Sequence, residues 1–263
     1  MNIIEAMKER RSVRSFNGET LDDKTLQQLM HFIGSIHNPF GGHFTVRLKQ
    51  FDLKNGFKPS TYGVIKGANE FFTMAYGDDE VSALAAGFGF EQVVLKAWQI
   101  GLGTCWIAAT FKGTDFEKDQ KWPDGERLKI VSPVGVAADK SMIEKLTRTI
   151  ARSDKRTPFR ELFFTDDFTR PASPEGRFGE ALEMLRLAPS STNSQPWRAL
   201  VEFNKVHFFY KPKSALSVLD CGIGLCHFYE TEKFNGKDGF FSKEPFIPAE
   251  HSNWRYLTTY TAK

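Results

Sequence analysis

A chain of 263 residues, 41% hydrophobic and 25% charged, has the composition of an ordinary soluble globular protein with one large core or two small ones. Its 35 basic and 32 acidic residues leave a net charge of +3, too slight for a nucleic-acid-binding surface. No apolar run is long enough to span a bilayer, and the opening Met-Asn-Ile-Ile-Glu-Ala lacks the pattern of a secretory signal; no membrane partner and a cytoplasmic location are expected.

Residues 2–9 and 21–35 carry apolar side chains at helical spacing, and Asp22 and Asp23 suit the start of the second helix. Between them lies Arg10-Arg11-Ser12-Val13-Arg14-Ser15, where a helix would stack like charges on one face. Three guanidiniums and two hydroxyls suit an anion, since arginine offers a bidentate fork to phosphate; a solvated basic surface is the competing reading. Residues 45–53 alternate like a strand, and 70–76 form a buried-strand candidate. Residues 81–100 are the longest amphipathic segment and stop at Gly101-Leu102-Gly103. Residues 128–136 suit a central strand, 141–152 a helix, and charge-rich 152–156 a connector.

A helix over 175–187, strands over 197–203 and 206–211, and a helix over 216–232 follow. A Gly/Lys/Phe-rich loop spans 236–248, and residues 256–260 read as a closing strand. Helices around mixed sheets predict an α+β architecture. Between helix and strand lies Ala188-Pro189-Ser190-Ser191-Thr192-Asn193-Ser194-Gln195-Pro196-Trp197. Its prolines exclude helix and shape a loop whose short polar groups suit a polar planar ligand or a polyol chain. Cys105, Cys221 and Cys226 read as reduced thiols, Cys105 as a small core residue. Histidine spacing gives no metal site, His43, His207 and His227 read as packing or surface residues, and no Gly-x-Gly-x-x-Gly marks a dinucleotide fold.

Taken together, the Arg-Arg-Ser-x-Arg motif and the Ala-Pro-Ser-Ser-x-Asn-x-Gln-Pro-Trp loop give a chain that resembles the FMN-dependent nitroreductase family. Residues 92–107, with Gly101-Leu102-Gly103-Thr104, and Val131-Ser132-Pro133-Val134-Gly135 add two further matching blocks. The resemblance implies the nitroreductase fold, FMN as cofactor, and NADH or NADPH as transient reductant. It assigns Arg10, Arg11, Ser12 and Lys155 or Arg156 to the flavin phosphate and Arg14 to the pyrimidine edge. It places Pro189, Ser190, Ser191 and Asn193 along the ring and ribityl chain, and the backbone at Ala108 and Ala109 near N5 and O4. Many relatives carry Glu-Gly where this chain has Ala108-Ala109.

The order of the blocks departs from ordinary members, whose Pro-Ser loop comes soon after the arginines. Here that place holds residues 36–44, without the pattern. A shift of 153 residues lays Leu29, Phe32 and Phe44 onto Leu182, Leu185 and Trp197, and a shift of 135 lays Gly87-Phe88-Gly89 onto Gly222-Ile223-Gly224. Two related halves in one chain are expected, 1–154 with the phosphate motif and a truncated 155–263 with the Pro-Ser-Ser-Thr-Asn loop. The family's two interfacial flavin sites would then reduce to one composite site and one FMN per chain, because Asp166 and Asp167 stand where the reciprocal phosphate would sit. The implied activity is ping-pong hydride transfer from NAD(P)H to a small electron-poor acceptor such as a nitroaromatic or quinone. The expected assembly is a monomeric pseudo-dimer or a homodimer. A flavin-using enzyme of different chemistry, or a non-catalytic flavin-binding or sensing module, is the alternative.

Overall fold

The computed structural model describes residues 1–51, 58–138, 155–247, 249 and 251–263. Helix α1 (Ile3–Glu9) opens with a capping box: Glu5 N donates to Asn2 Oδ1 and Asn2 N to Glu5 Oε2, both at 2.9 Å. Helix α2 (Asp23–Ile33) is capped by Asp22, which accepts from Thr25 N at 2.7 Å. Strands β1 (Phe44–Gln50) and β2 (Glu70–Tyr76) follow, then the long helix α3 (Glu80–Gln99), which ends before Gly101 at φ +85°. Strand β3 (Gly103–Thr104), short helix α4 (Gly113–Glu117) and strand β4 (Arg127–Gly135) complete an antiparallel sheet of order β1-β2-β4-β3.

The remainder supplies β5 (Phe163–Thr165), β6 (Arg170–Pro171), α5 (Gly179–Leu187), β7 (Trp197–Glu202), β8 (Lys205–Tyr210), α6 (Ser217–Phe234), β9 (Gly239–Ser242) and β10 (Arg255–Ala262). Its sheet has the order β6-β5-β7-β8-β10-β9, with β5 parallel to β7. The run β7-β8-β10-β9 repeats β1-β2-β4-β3 in chain order and antiparallel sense. The chain is α+β, with two related halves.

Both sequence offsets reappear as contacts. Helices α3 and α6 cross at glycines: a Cβ on Gly87 would lie 2.1 Å from Leu219 O, and one on Gly222 2.2 Å from Leu84 O. The shift of 135 exchanges these two pairs, so the crossing is reciprocal in the manner of a two-fold interface. Two residues on, on the opposite side of each helix, Gly89 abuts Phe44 and Gly224 abuts Trp197, the pair related by the shift of 153.

Strand β2 is buried at every residue because both faces are covered. Phe72, Met74 and Tyr76 pack with Ala86, Phe90 and Val93 of α3; Phe71 faces the opposite way, onto Phe51 and Phe116. Helix α3 packs into both cores, because its Leu84, Phe88 and Leu95 join the core of the other half. Helix α1 belongs to that second core as well, with Ile4 and Met7 against Leu182, Leu185 and Phe228.

Local signals mislead in three places. Helix α5 starts at Gly179 rather than 175: a turn precedes it, with Glu175 N donating to Ser173 Oγ, and a Cβ on Gly179 would lie 1.7 Å from Pro174 O. The expected loop after residue 236 contains β9, a Gly- and Phe-bearing edge strand held by β10. Strand β1 stops at Gln50. The helix expected over 141–152, most of the 152–156 connector and Pro248 lie outside the described residues. Among the described residues, no helix is long and apolar enough to cross a membrane.

Candidate functional site

The arginine motif is extended, which removes the like-charge stacking a helix would impose. Ser12 forms a bridge with Thr104, Val13 N donates to Thr104 O at 2.8 Å, and the Arg14–Phe16 backbone brackets Lys66. Arg11 points out and bonds the Lys8 and Arg10 carbonyls, while Ser12 and Arg14 are half-buried. The second glycine of the Gly-Leu-Gly-Thr turn is needed here: a Cβ on Gly103 would meet Val13 side-chain atoms at 2.6–2.9 Å. Ala108 and Ala109 follow Ile107, which bridges Val131 of β4; Ala108 is half-buried and Ala109 exposed.

Arg10 is buried, with Nε 4.0 Å from Glu91 Oε1. Burial pushes its guanidinium below the ordinary value, and the Glu91 charge opposes the shift. Its Nη1 and the hydroxyl of Thr104 are both buried without a hydrogen-bond partner. Glu91 itself accepts from Trp106 Nε1 at 2.9 Å and faces His227 Nε2 at 3.0 Å, while His227 Nδ1 bonds Met184 O at 3.1 Å. Burial raises the Cys105 thiol, so the residue behaves as a neutral core side chain; all three cysteines are free and buried.

The Pro-Ser loop is a strained turn. Thr192, Asn193 and Gln195 sit at φ 50°, 55° and 45°, the left-handed region that a β-branched residue such as Thr192 rarely adopts. Asp220 of α6 holds it, Oδ1 accepting from Ser191 N at 2.9 Å and Oδ2 from Ser194 Oγ at 3.2 Å. The Ser190 hydroxyl accepts from Gln195 N at 2.9 Å, while Ala188 is buried and Pro189 half-buried beside it. Lys155 and Arg156 come to the same loop. Asn193 Nδ2 donates to Lys155 O at 2.8 Å, and Arg156 donates to Asn193 Oδ1 at 3.1 Å and Leu187 O at 3.0 Å. Replacing Thr192 by Asn, which tolerates this backbone, should raise unfolding stability by about 0.5–1 kcal/mol; a loss in urea titration would show that Thr192 is unstrained.

Burial pushes the Asp220 carboxyl up to about 6, despite its two hydrogen bonds. Tyr76, at the end of β2, is pushed up to about 12 by burial and by the Asp220 charge, so the loop's anchor also faces the first half. The two motifs are joined by a buried chain of contacts: Arg10 to Glu91, Glu91 to His227, His227 to Met184 of α5, the helix that leads into the loop. Asp166 pairs with Arg170 at 2.5 Å, and Asp167 accepts from Thr169 N at 2.8 Å, so both acids close the β5–β6 turn. No cluster of metal-ligating side chains occurs among the described residues.

Glu91, Trp106, His227 and Asp220 are the residues the sequence reading passed over or took for packing. A signal existed for the acids. Glu91 follows Phe88-Gly89-Phe90 and Asp220 sits within Leu219-Asp220-Cys221; an acid enclosed by apolar neighbours in a helix is buried only with partners.

The model of the family described as "Putative TM nitroreductase" matches residues 2–231. A solved structure of a "putative nitroreductase" from Thermotoga maritima MSB8 aligns over 100% of this chain and 93% of its own, with TM-score 0.65 and 18% identity. A nitroreductase family protein from Clostridium novyi NT aligns over 54% of this chain and 88% of its own (TM-score 0.43, 21% identity). An FMN-dependent nitroreductase from Clostridium difficile R20291 aligns over 52% and 88% (TM-score 0.41, 17% identity). No curated protein matches the chain. With a fold of two nitroreductase-like halves and a family match over nearly its whole length, this chain belongs to the putative TM nitroreductase family.

Proposed function

We propose that this protein is an FMN-dependent oxidoreductase that takes reducing equivalents from NADH or NADPH and delivers them to a small electron-poor acceptor, such as a nitroaromatic or quinone. The observation that carries the reading is the buried Arg10 guanidinium, whose Nη1 has no acceptor; two residues on, the Ser12 backbone bridges Thr104, whose buried hydroxyl is equally unpartnered. Buried donors without partners are costly, and a phosphate group satisfies them.

FMN, when bound, supplies the hydride and electron chemistry. The chain's own groups bind and orient it. Arg10, Arg11 and Ser12, with Lys155 or Arg156, are assigned to the phosphate. Arg14 is assigned to the pyrimidine edge, where a cation favours negative charge. Pro189, Ser190, Ser191 and Asn193 are assigned to the ring and ribityl chain, and the Ala108–Ala109 backbone to the N5 edge. The Asp220 and Arg156 contacts keep that loop in shape, which is how a strained turn is made to persist. We place the division between the halves at 154/155 and assign one FMN per chain, since Asp166 and Asp167 hold the reciprocal position. A chain containing both halves can complete the site as a monomer, in the cytoplasm.

The purified protein should show the oxidised-flavin spectrum at one flavin per chain and should oxidise NADH or NADPH with menadione or a nitrofuran. Bound flavin without turnover would make the protein a sensing module instead; a colourless protein that takes up no FMN sinks the proposal. Arg10→Ala should weaken FMN binding at least about tenfold by fluorescence titration. Arg14→Ala should lower the flavin midpoint potential, and an unchanged potential refutes that assignment.

A further inference from the structure

Glu91 is fully buried in the middle of α3 and touches residues from three other parts of the chain. Trp106 Nε1 donates to Oε2, His227 Nε2 faces Oε1, and Arg10 Nε lies 4.0 Å from the same Oε1. The Met184 carbonyl can only accept, so His227 Nδ1 carries a hydrogen. Nε2 then faces a carboxylate oxygen at 3.0 Å, a contact that needs a proton on one of the two atoms. On either atom, the Arg10–Glu91–His227 cluster holds one net positive charge, buried between the halves. Arg10 Nη1, on the far arm of the same guanidinium, is left without an acceptor.

We infer that Glu91, braced by Trp106 and His227, is the positioning residue that fixes the Arg10 guanidinium for its anion. The inference rests on the proposed flavin-phosphate role of Arg10 and adds how the second half takes part. His227 comes from α6 and Met184 from α5, so the arginine that ends α1 is set by the carboxy-terminal half. With Nε beside Glu91, Nη1 is the arm left for an anion, and a planar fork so fixed loses less entropy on binding one.

Glu91→Gln isolates this role. The carboxamide oxygen still accepts from Trp106, and its NH2 donates to the bare Nε2 of neutral His227, so no hydrogen bond is orphaned. The cluster keeps one net positive charge, carried now by Arg10 alone. Only the charged partner of Arg10 Nε is lost.

The test compares Kd for FMN and for riboflavin, which lacks the phosphate, in the wild type, Arg10→Ala, Glu91→Gln and His227→Gln. Glu91→Gln is expected to lower the FMN-over-riboflavin preference about tenfold with riboflavin binding unchanged. His227→Gln should lower it further, because it leaves Glu91 opposite Arg10 with no net charge, and it serves if Glu91→Gln does not fold. A preference that survives in Glu91→Gln, or in His227→Gln where Glu91→Gln does not fold, but not in Arg10→Ala overturns the positioning role. So does an equal weakening of both ligands, which marks a purely structural pair. Equal wild-type affinity for FMN and riboflavin instead refutes the phosphate reading of Arg10 itself.

Discussion

Gly222→Ala is expected to destabilise the protein by about 3 kcal/mol or more, the upper range for overpacking a closed core. The added Cβ would lie 2.2 Å from Leu84 O, 2.8 Å from Phe88 N and 3.0 Å from Gly87 Cα. All three are backbone atoms, so no rotamer change relieves the clash, and α3 and α6 must separate where they cross. Gly87→Ala should act alike, through Leu219 O at 2.1 Å. Because either change opens the same crossing, the double variant should lose less than the sum of the two. Gly236→Ala is the control: its site is open and only its φ of +70° is strained, for about 1 kcal/mol. Urea unfolding measures all four, and a Gly222→Ala loss no greater than that of the control would show that the halves are not packed through this contact.

Asp220→Asn should make the protein more stable at pH 8, by roughly 2–3 kcal/mol. The carboxyl is pushed from an ordinary 3.8 up to about 6 by burial. A raised acid favours the fold while protonated: its contribution is complete below the unfolded value and is lost as pH rises through the folded value. At about 1.4 kcal/mol per pH unit, the wild type gives up most of that between pH 4 and 6, whereas the asparagine variant has nothing to lose there. Asn can still accept from Ser191 N and donate to the Ser194 hydroxyl, so the turn keeps its anchors. The advantage of the variant should therefore shrink steadily from pH 6 to pH 4. A difference independent of pH would show that Asp220 is not the titrating group. Asp220→Ala, which leaves both donors unsatisfied, should lose stability at every pH.

These expectations separate what was legible in the chain from what was not. Helical period, caps and stop signals located α1, α2 and α3, and mostly apolar runs located β2 and β4, because each depends on a residue's own neighbours. The prolines and short polar groups of 188–196 marked a shaped loop. The two offsets showed the repetition before any contact was known, since a residue packed at a pseudo-symmetric crossing must be small in both copies. Gly87 and Gly222 are small for that reason.

Short strands were invisible: β3, β5, β6 and β9 have two to four residues each, and their only support is the ladder of a neighbour distant in sequence. The displaced start of α5 likewise depends on how Pro174 folds back on Gly179. The site divides in the same way. The sequence by itself determined which groups could meet an anion and a flat polar ligand, because arginine forks and hydroxyl-rich turns carry their chemistry locally. Only the tertiary structure decided that Arg10 answers to Glu91, that Glu91 answers to His227 136 residues away, and that Asp220 anchors the strained turn. Periodicity reports that a residue is buried; the crossing of α3 and α6 determines which buried polar groups come within reach of each other, and in a medium of low polarity those pairings set their charge.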